Sequence, residues 1–160
     1  MSSLENDRRF MQLAIDKARE GIEAGQSPFG ACITRDGEMV AVAHNTVWRD
    51  GDSTAHAEVN AIRQACQSLG TIDLKGCTLY TTCEPCPMCF SASHWAGIGR
   101  IVFGAGIADV AVAGFSELRI SVFQMKAVGI SNVRLVPDFM RAENRLLFQD
   151  WLSREDSRPY

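Results

Sequence analysis

The sequence predicts an α/β protein, with one domain over residues 1–160 and three layers in which helices cover both sides of a central mixed sheet of five strands. Three observations support this fold class. The 160 residues are 46% hydrophobic, which is enough for one packed core. Strand patterns alternate with helical patterns along the chain. Two segments that carry histidine or cysteine begin helices at the carboxyl ends of strands, where open α/β sheets place their sites.

The first elements follow from hydrophobic spacing and from one turn. Apolar residues at helical spacing between residues 6 and 25 predict an opening amphipathic helix. Two segments, 29–35 and 38–44, have strand character and flank the pair Asp36-Gly37. This pair tolerates the positive backbone angles of a two-residue hairpin, so we expect the sheet to begin here.

The rest of the chain alternates helices and strands. A polar run at 46–53 leads into a helix predicted over about 55–69, with Gly70 as its stop. A strand over 77–82 points at a second helix over about 86–96. The later elements are a strand at 100–104, a short helix or ordered loop at 107–113, a turn at 114–117, a weaker helix at 118–126, a strand at 132–136 and a final amphipathic helix at 139–152.

Two motifs, one at residues 54–58 and one at 82–89, together predict a zinc site. We expect His56, Cys86 and Cys89 to supply the three nitrogen and sulfur ligands of a catalytic zinc, with the fourth position open to water. The two cysteines are three residues apart, so on the first turn of a helix both sulfurs face one point. Pro85 suits the start of that helix.

Glu58 lies two residues from His56 and is predicted to face the open position without binding the metal, as a proton shuttle does. The alternative is a closed structural site, which needs a fourth protein ligand. Cys83 is the nearest residue able to supply one, and we expect it to be a packed thiol instead.

Composition argues against several classes of protein. No apolar run reaches membrane-spanning length, and the first residues lack a signal-peptide pattern, so we expect a cytoplasmic protein. The apolar settings of Cys32, Cys66 and Cys77 are typical of reduced thiols. A net charge of −3 argues against a polyanionic partner, since phosphate binding needs a concentrated basic surface.

The motifs resemble those of the cytidine-deaminase-like superfamily, because His-x-Glu followed by Pro-Cys-x-x-Cys is the signature of zinc nucleobase deaminases. Within it, the chain is most similar to the small bacterial guanine deaminases. The features that carry this resemblance are Ser27-Pro28-Phe29-Gly30, Asn45, the run at 55–63, the run at 83–89, Trp95, Ala113-Gly114-Phe115 and the aromatic final residue Tyr160.

The resemblance implies roles for further residues. Asn45 and the backbone around Ala57 would hold the base, while Phe29 and Trp95 would pack against its face. Ordinary core packing is the alternative for both aromatic residues.

A departure from the family pattern concerns the acid that meets the substrate. The family usually has Gly-Phe-Asp-Asp, and its second acid contacts the base, whereas this chain has Gly114-Phe115-Ser116-Glu117. Glu117 would therefore take that place, and a surface glutamate is the alternative.

The implied function is hydrolytic deamination of guanine to xanthine and ammonia, with one Zn²⁺ per chain. A tRNA adenosine deaminase is the main rival, because residues 98–105 also resemble that family. A pyrimidine-base, pterin or nucleoside deaminase and a zinc-stabilised interaction module without activity are further alternatives.

The implied partners are a small nucleobase and water, with neither nucleic acid nor membrane. The resemblance also implies a homodimer in which the tail, residues 153–160, is exchanged so that Tyr160 closes the neighbouring site. A frayed polar tail is the alternative.

Overall fold

The computed structural model describes residues 3–160. In chain order its elements are α1 Ser3–Glu23, β1 Gly30–Arg35, β2 Glu38–His44, α2 Val47–Asp50, α3 Ala57–Leu69, β3 Cys77–Cys83, α4 Pro87–Trp95, β4 Arg100–Ala105, α5 Ile107–Val112, α6 Val122–Val128, β5 Arg134–Val136 and α7 Arg141–Leu152. Within these residues, no helix combines the length and the apolar character needed to cross a membrane.

The five strands form one mixed sheet, as predicted. Their order in the sheet is β2-β1-β3-β4-β5. β1 is antiparallel to β2 and β3, whereas β4 is parallel to β3 and β5. Helices α1 and α7 pack together on one side of the sheet, and α3, α4 and α6 lie on the other. The predicted three-layer fold class is therefore confirmed.

The hairpin and the first helix are held by steric constraints that the sequence carries. Asp36 and Gly37 have positive φ angles of 53° and 79°, as a two-residue hairpin requires. At the start of β1, a Cβ on Gly30 would lie 2.1 Å from the backbone oxygen of Ala14 and 2.7 Å from the backbone nitrogen of Ala18. Helix α1 can therefore rest directly on β1 only because residue 30 is glycine.

Some element boundaries differ from the predictions. The polar run at 46–53 contains the short helix α2, and the weaker helix begins at Val122 instead of residue 118. Ser121 explains the second difference, because its side chain accepts a hydrogen bond from the backbone N–H of Gln124 and so fixes the start of α6.

A polar cluster joins the start of α1 to the first residue of β4. Arg100 donates to the two carboxylate oxygens of Asp7 at 2.8 and 2.6 Å, and the Tyr80 hydroxyl donates to Asp7 at 2.6 Å. Burial alone would raise the pKa of Asp7, but the bonds from Arg100 and Tyr80 outweigh it and hold this pKa below its ordinary value. The cluster ties two distant parts of the chain together.

Candidate active site

Three predicted metal ligands come together where α3 and α4 begin. His56, Cys86 and Cys89 each offer a ligand atom, and these atoms lie within 4.8 Å of one another. The Sγ atoms of Cys86 and Cys89 are 3.6 and 3.5 Å from Nδ1 of His56. The predicted ligand set is therefore confirmed as a group of donors that one ion could bind.

Local backbone structure explains why these residues meet. His56 and Cys86 are the N-cap residues of α3 and α4, and both have extended backbone angles. Pro87 takes the first helical position of α4, one residue after the predicted start at Cys86, and Cys89 follows in the first turn. The N-termini of both helices thus face the ligand group, where their partial positive charge favours thiolates.

The chemistry of the donors fits zinc. Two sulfurs and one imidazole nitrogen are the ligands expected at a catalytic zinc that keeps one position open. Cys83 is buried but lies outside the donor group in residues 3–160, so the closed-site alternative lacks its fourth ligand. A hydrogen bond from the Cys89 thiol is the main cause that lowers the pKa of Cys86 to about 4, so a thiolate is available there to bind a cation.

Glu58 lies beside the ligand group in the first turn of α3. It is 5% exposed, and its Oε1 accepts a hydrogen bond from the Thr81 hydroxyl at 3.1 Å. Its Oε2 lies 3.5 Å from Sγ of Cys89. Burial raises the pKa of Glu58, and the negative charge of Cys86 acts in the same direction. A carboxyl group placed in this way can accept a proton and pass it on.

Tyr160 covers the ligand group. Its ring centroid is 5.6 Å from that of His56, and its hydroxyl accepts a hydrogen bond from Nδ2 of Asn45 at 2.6 Å. Asn45 is fully buried, and its Oδ1 accepts from the backbone N–H of Val47 at 3.1 Å, which fixes the orientation of the amide. The tail of this chain thus lies over its own metal-binding residues.

Further contacts hold the tail in place. The Trp48 indole donates to the backbone oxygen of Arg158 at 3.1 Å, and the Arg158 guanidinium lies 4.1 Å from the centre of the Trp48 ring. The backbone N–H of Ser116 donates to the backbone oxygen of Tyr160 at 3.2 Å. These contacts replace the frayed tail that its polar composition suggested.

Glu117 reaches the same site from the segment between α5 and α6. Burial raises its pKa to about 7, and the negative charges of Cys86 and Glu58 act in the same direction. Among the described residues, no group hydrogen-bonds to Oε2 of Glu117, although this atom is buried. Buried polar atoms are normally hydrogen-bonded, so this oxygen is available to accept a hydrogen bond from an N–H group of a ligand.

Family comparison agrees with this geometry. Residues 4–105 match the model of the cytidine and deoxycytidylate deaminase zinc-binding region. The chain belongs to this deaminase family.

Relatives of this deaminase include enzymes for different substrates. It is 47% identical to the guanine deaminase of Bacillus subtilis over 113 residues, which cover 70% of this chain and 72% of the relative. It is 44% identical to the tRNA-specific adenosine deaminase of Aquifex aeolicus over 96 residues, covering 60% of this chain and 64% of the relative. A solved guanine deaminase from Nitrosomonas europaea matches with a TM-score of 0.84 and 28% identity, covering 91% of this chain and 84% of that one.

The structure of the deaminase places Trp95 away from the ligand group, which corrects its predicted contact with the base within one chain. Its side chain is 88% exposed and lines a groove with Phe90, His94, Met125 and Gly129. Trp95 follows Cys89 by six residues on α4, a rise of about 9 Å and a rotation of about 240°, so it cannot face the point that Cys89 faces.

Phe29 packs one ring away from the site. Its centroid is 5.0 Å from that of Phe115 and 5.7 Å from that of Phe148. Phe115 in turn lies 5.4 Å from Tyr160. Phe29 is 8% exposed, so it packs against the side of Phe115 as a core residue, in agreement with the core alternative.

Ala57 is fully buried at the first position of α3, between His56 and Glu58. Its contact with a base stays a prediction.

Sequence reasoning missed several residues of this site. Thr81, which holds Glu58, lies in a buried strand and carries no local signal of its role. Trp48 lies in a polar run, and only the fold brings it to the tail. Glu84 stands inside the cysteine motif, so its position next to Pro85 was the one signal that could have identified it.

Proposed function

We propose that this zinc-dependent deaminase converts guanine to xanthine and ammonia by hydrolysis. The observation that carries the proposal is a buried oxygen of Glu117 that has no hydrogen-bond partner among residues 3–160, close to the metal-ligand group and to Glu58. Guanine presents an N–H and an amino group next to each other, and a carboxylate can accept hydrogen bonds from both. The similarity to bacterial guanine deaminases supports the same substrate.

His56, Cys86 and Cys89 would hold the zinc. When bound, zinc lowers the pKa of water, so that hydroxide is available near neutral pH. Glu58 accepts the proton of the attacking water and passes it to the ring nitrogen beside the carbon that carries the amine. As the carbonyl forms, the same carboxyl group passes the remaining proton of the attacking water to the departing amine, so one proton of water stays on the ring nitrogen and the other leaves with ammonia.

The remaining residues would bind and enclose the base. Asn45 has an oriented amide that donates towards the site, which suits an acceptor atom on a purine ring. Phe115 and Tyr160 form an aromatic wall next to His56. Such a wall limits water around the reacting atoms and leaves room for a free base more readily than for a large nucleic acid.

Charge pairing argues against the rival tRNA substrate. Arg141 and Arg145 on α7 both pair with Asp109, at 3.2 Å each, and Arg154 in the tail pairs with Asp156 at 3.0 Å. A surface that binds RNA needs cations that are free to contact phosphates, and these are already engaged. Because the chain is 44% identical to a tRNA-specific adenosine deaminase, a tRNA stem-loop is included among the substrates tested below.

We also propose a homodimer. Trp95, Val128 and Ile130 are 88%, 86% and 86% exposed, and a second copy of the chain would bury such apolar side chains. Tail exchange would bring Tyr160 of one copy to the other copy's site, in place of the contact with its own His56 and Asn45 that a single chain makes. Analytical ultracentrifugation of wild type and Trp95→Arg measures the dimer, and a monomeric wild type would contradict it.

A mixing experiment tests the exchange of tails. Glu58→Gln has an intact tail but lacks the shuttle, whereas a chain deleted for residues 156–160 has the shuttle but lacks the tail. If tails are exchanged, co-refolding the two should restore activity in mixed dimers. If each tail serves its own chain, the mixture should be no more active than its parts.

Ammonia release from a panel of substrates tests the proposed reaction. Zinc-loaded protein is assayed with guanine, guanosine, cytosine, adenine and a tRNA anticodon stem-loop, with Glu58→Gln as the control. We expect guanine to have the highest kcat/KM. Preferred turnover of the stem-loop would support the rival, and turnover of none of them would favour the interaction module.

A further inference from the structure

Glu84 lies two residues before Cys86 and contacts two helices that follow it in the chain. It is 9% exposed, and both of its carboxylate oxygens accept backbone hydrogen bonds. Oε2 accepts from the N–H of Ile107 at 3.2 Å, and Oε1 accepts from the N–H of Val122 at 3.0 Å. Ile107 and Val122 are the first residues of α5 and α6.

These contacts use groups that helices leave unpaired. The first N–H groups of a helix have no partner within it, and a negative charge near them is favourable. Hydrogen bonds to an ionised acceptor are roughly twice as strong as neutral ones. One carboxylate thus joins the starts of two helices, and the backbone N–H of Glu84 donates to the oxygen of Ala105 at 2.7 Å, which fixes Glu84 to the end of β4.

The segment between α5 and α6, residues 113–121, carries Phe115 and Glu117. Glu84 holds the first residue of α5 before this segment and the first residue of α6 directly after it. Within the segment, the backbone hydrogen bond from Ser116 to Tyr160 is a further anchor. The Oε2 atom of Glu117 itself has no hydrogen-bond partner among the described residues. The position of the Glu117 carboxylate therefore depends on how its segment is anchored.

We propose that Glu84 is a positioning residue for catalysis, which sets the Glu117 segment relative to the zinc ligands. The backbone of Glu84 belongs to the cysteine motif, and its side chain contacts the helices on both sides of the Glu117 segment, so Glu84 connects the metal-binding residues with the residue that would contact the base. The proposal rests on the proposed function only for the role of Glu117. A purely structural Glu84 would instead affect folding without acting through Glu117.

The first test replaces Glu84 by glutamine, which keeps the shape but turns an amide donor towards one of the two N–H groups. We expect zinc content to stay at one equivalent while kcat/KM falls by up to about 10²-fold, the size expected when a catalytic group shifts by roughly 1 Å. Ser121→Ala is the matched control, because it removes the side-chain cap of α6 and leaves Glu84 in place. An equal loss in Ser121→Ala would overturn the proposal.

A second variant breaks the same contact from the other side. Ile107→Pro removes the N–H that donates to Glu84, and proline is tolerated at the first position of a helix. Gly106, which precedes it, has the extended backbone that a residue before proline prefers. We expect Ile107→Pro to lower kcat/KM in the same direction as Glu84→Gln, with zinc retained.

A double-mutant cycle decides whether Glu84 acts through Glu117. In a Glu117→Gln background, Glu84→Gln should change kcat/KM by less than about 2-fold, because the group that it positions is already gone. If the two losses multiply in full, Glu84 does not work through Glu117 and the proposal fails.

Hydrogen exchange separates this proposal from the choice of substrate. We expect Glu84→Gln to speed amide exchange across residues 107–122 of the zinc-loaded protein, and not across β1. Unchanged exchange would overturn the positioning role whatever the substrate. If guanine is not turned over but exchange rises, the proposed function fails while the anchoring by Glu84 stands, and the cycle is then run on the substrate that the panel identifies.

Discussion

The side-chain amide of Asn45 donates a 2.6 Å hydrogen bond to the hydroxyl of Tyr160, which lies 115 residues later at the end of the chain. The contact joins a residue expected to bind the base to the residue that covers His56. It also means that the Asn45 amide has a partner before any base arrives. An amide NH2 group has two hydrogens, so Nδ2 of Asn45 has a second donor for a base while it keeps the bond to Tyr160.

Tyr160→Phe tests how much the hydroxyl of Tyr160 contributes to kcat/KM. The ring stays over His56 while the bond to Asn45 is lost, so we expect kcat/KM for guanine to fall by about 2- to 10-fold, as for one ordinary hydrogen bond. Steady-state kinetics measure the change, with Tyr160→Ala as the comparison. Equal activity in Tyr160→Phe and Tyr160→Ala would mean that the ring itself does not cover the base.

Loss of a zinc ligand should remove both metal and stability. In Cys86→Ala or Cys89→Ala, we expect less than one zinc per chain by metal analysis and a lower Tm, because metal binding is coupled to folding. Cys83→Ala is the matched control, since this cysteine is buried but lies outside the donor group in the described part of the chain. Full zinc content in the Cys86 and Cys89 double variant would contradict the ligand set.

Glu58→Gln separates chemistry from metal binding. The amide keeps an oxygen that can accept from Thr81, so we expect the fold and zinc content to persist. Turnover should fall by about 10²- to 10⁴-fold or more, because the shuttle is lost. Single-turnover kinetics with guanine measure this, and a nearly unchanged rate would exclude Glu58 as the shuttle.

Glu117→Gln tests the acid that departs from the family pattern. An amide presents donors of its own to the N–H groups of the base, so we expect kcat/KM for guanine to fall strongly while zinc content is unchanged. Ser116→Ala, at the exposed neighbouring position, is the control and should leave kinetics nearly intact. Indistinguishable kinetics for the two variants would assign Glu117 to the surface role.

The Asp7 and Arg100 pair should make stability depend on pH. Because the folded pKa of Asp7 lies below its ordinary value of 3.8, its stabilising contribution is present above about pH 4 and is lost as pH falls through the folded pKa. Asp7→Asn should therefore destabilise the fold by about 1–3 kcal/mol at neutral pH and by less in acid. Urea unfolding at several pH values measures this, and the exposed Asp16→Asn should change stability by less than about 0.5 kcal/mol.

Sequence patterns that span only a few residues predicted the features that depend on neighbouring residues. The hairpin at Asp36-Gly37 and the common direction of Cys86 and Cys89 follow from local geometry, since backbone angles and helical periodicity place neighbouring side chains directly. The third ligand, His56, was predicted because the two motifs together match the signature of zinc deaminases. The same local reasoning placed the start of α4 at Cys86, one residue early, because Cys86 keeps an extended backbone as the N-cap.

The tertiary structure alone decided which distant residues share the site. Trp95 lies outside the site because its position on α4 is rotated by about 240° from that of Cys89. Glu117 lies near the site because the helices on both sides of its segment, α5 and α6, begin at the carboxylate of Glu84. Tyr160 reaches His56 only because the tail binds Trp48 and Asn45. These positions depend on contacts between residues far apart in the chain, and such contacts leave no periodic pattern in the sequence around either partner.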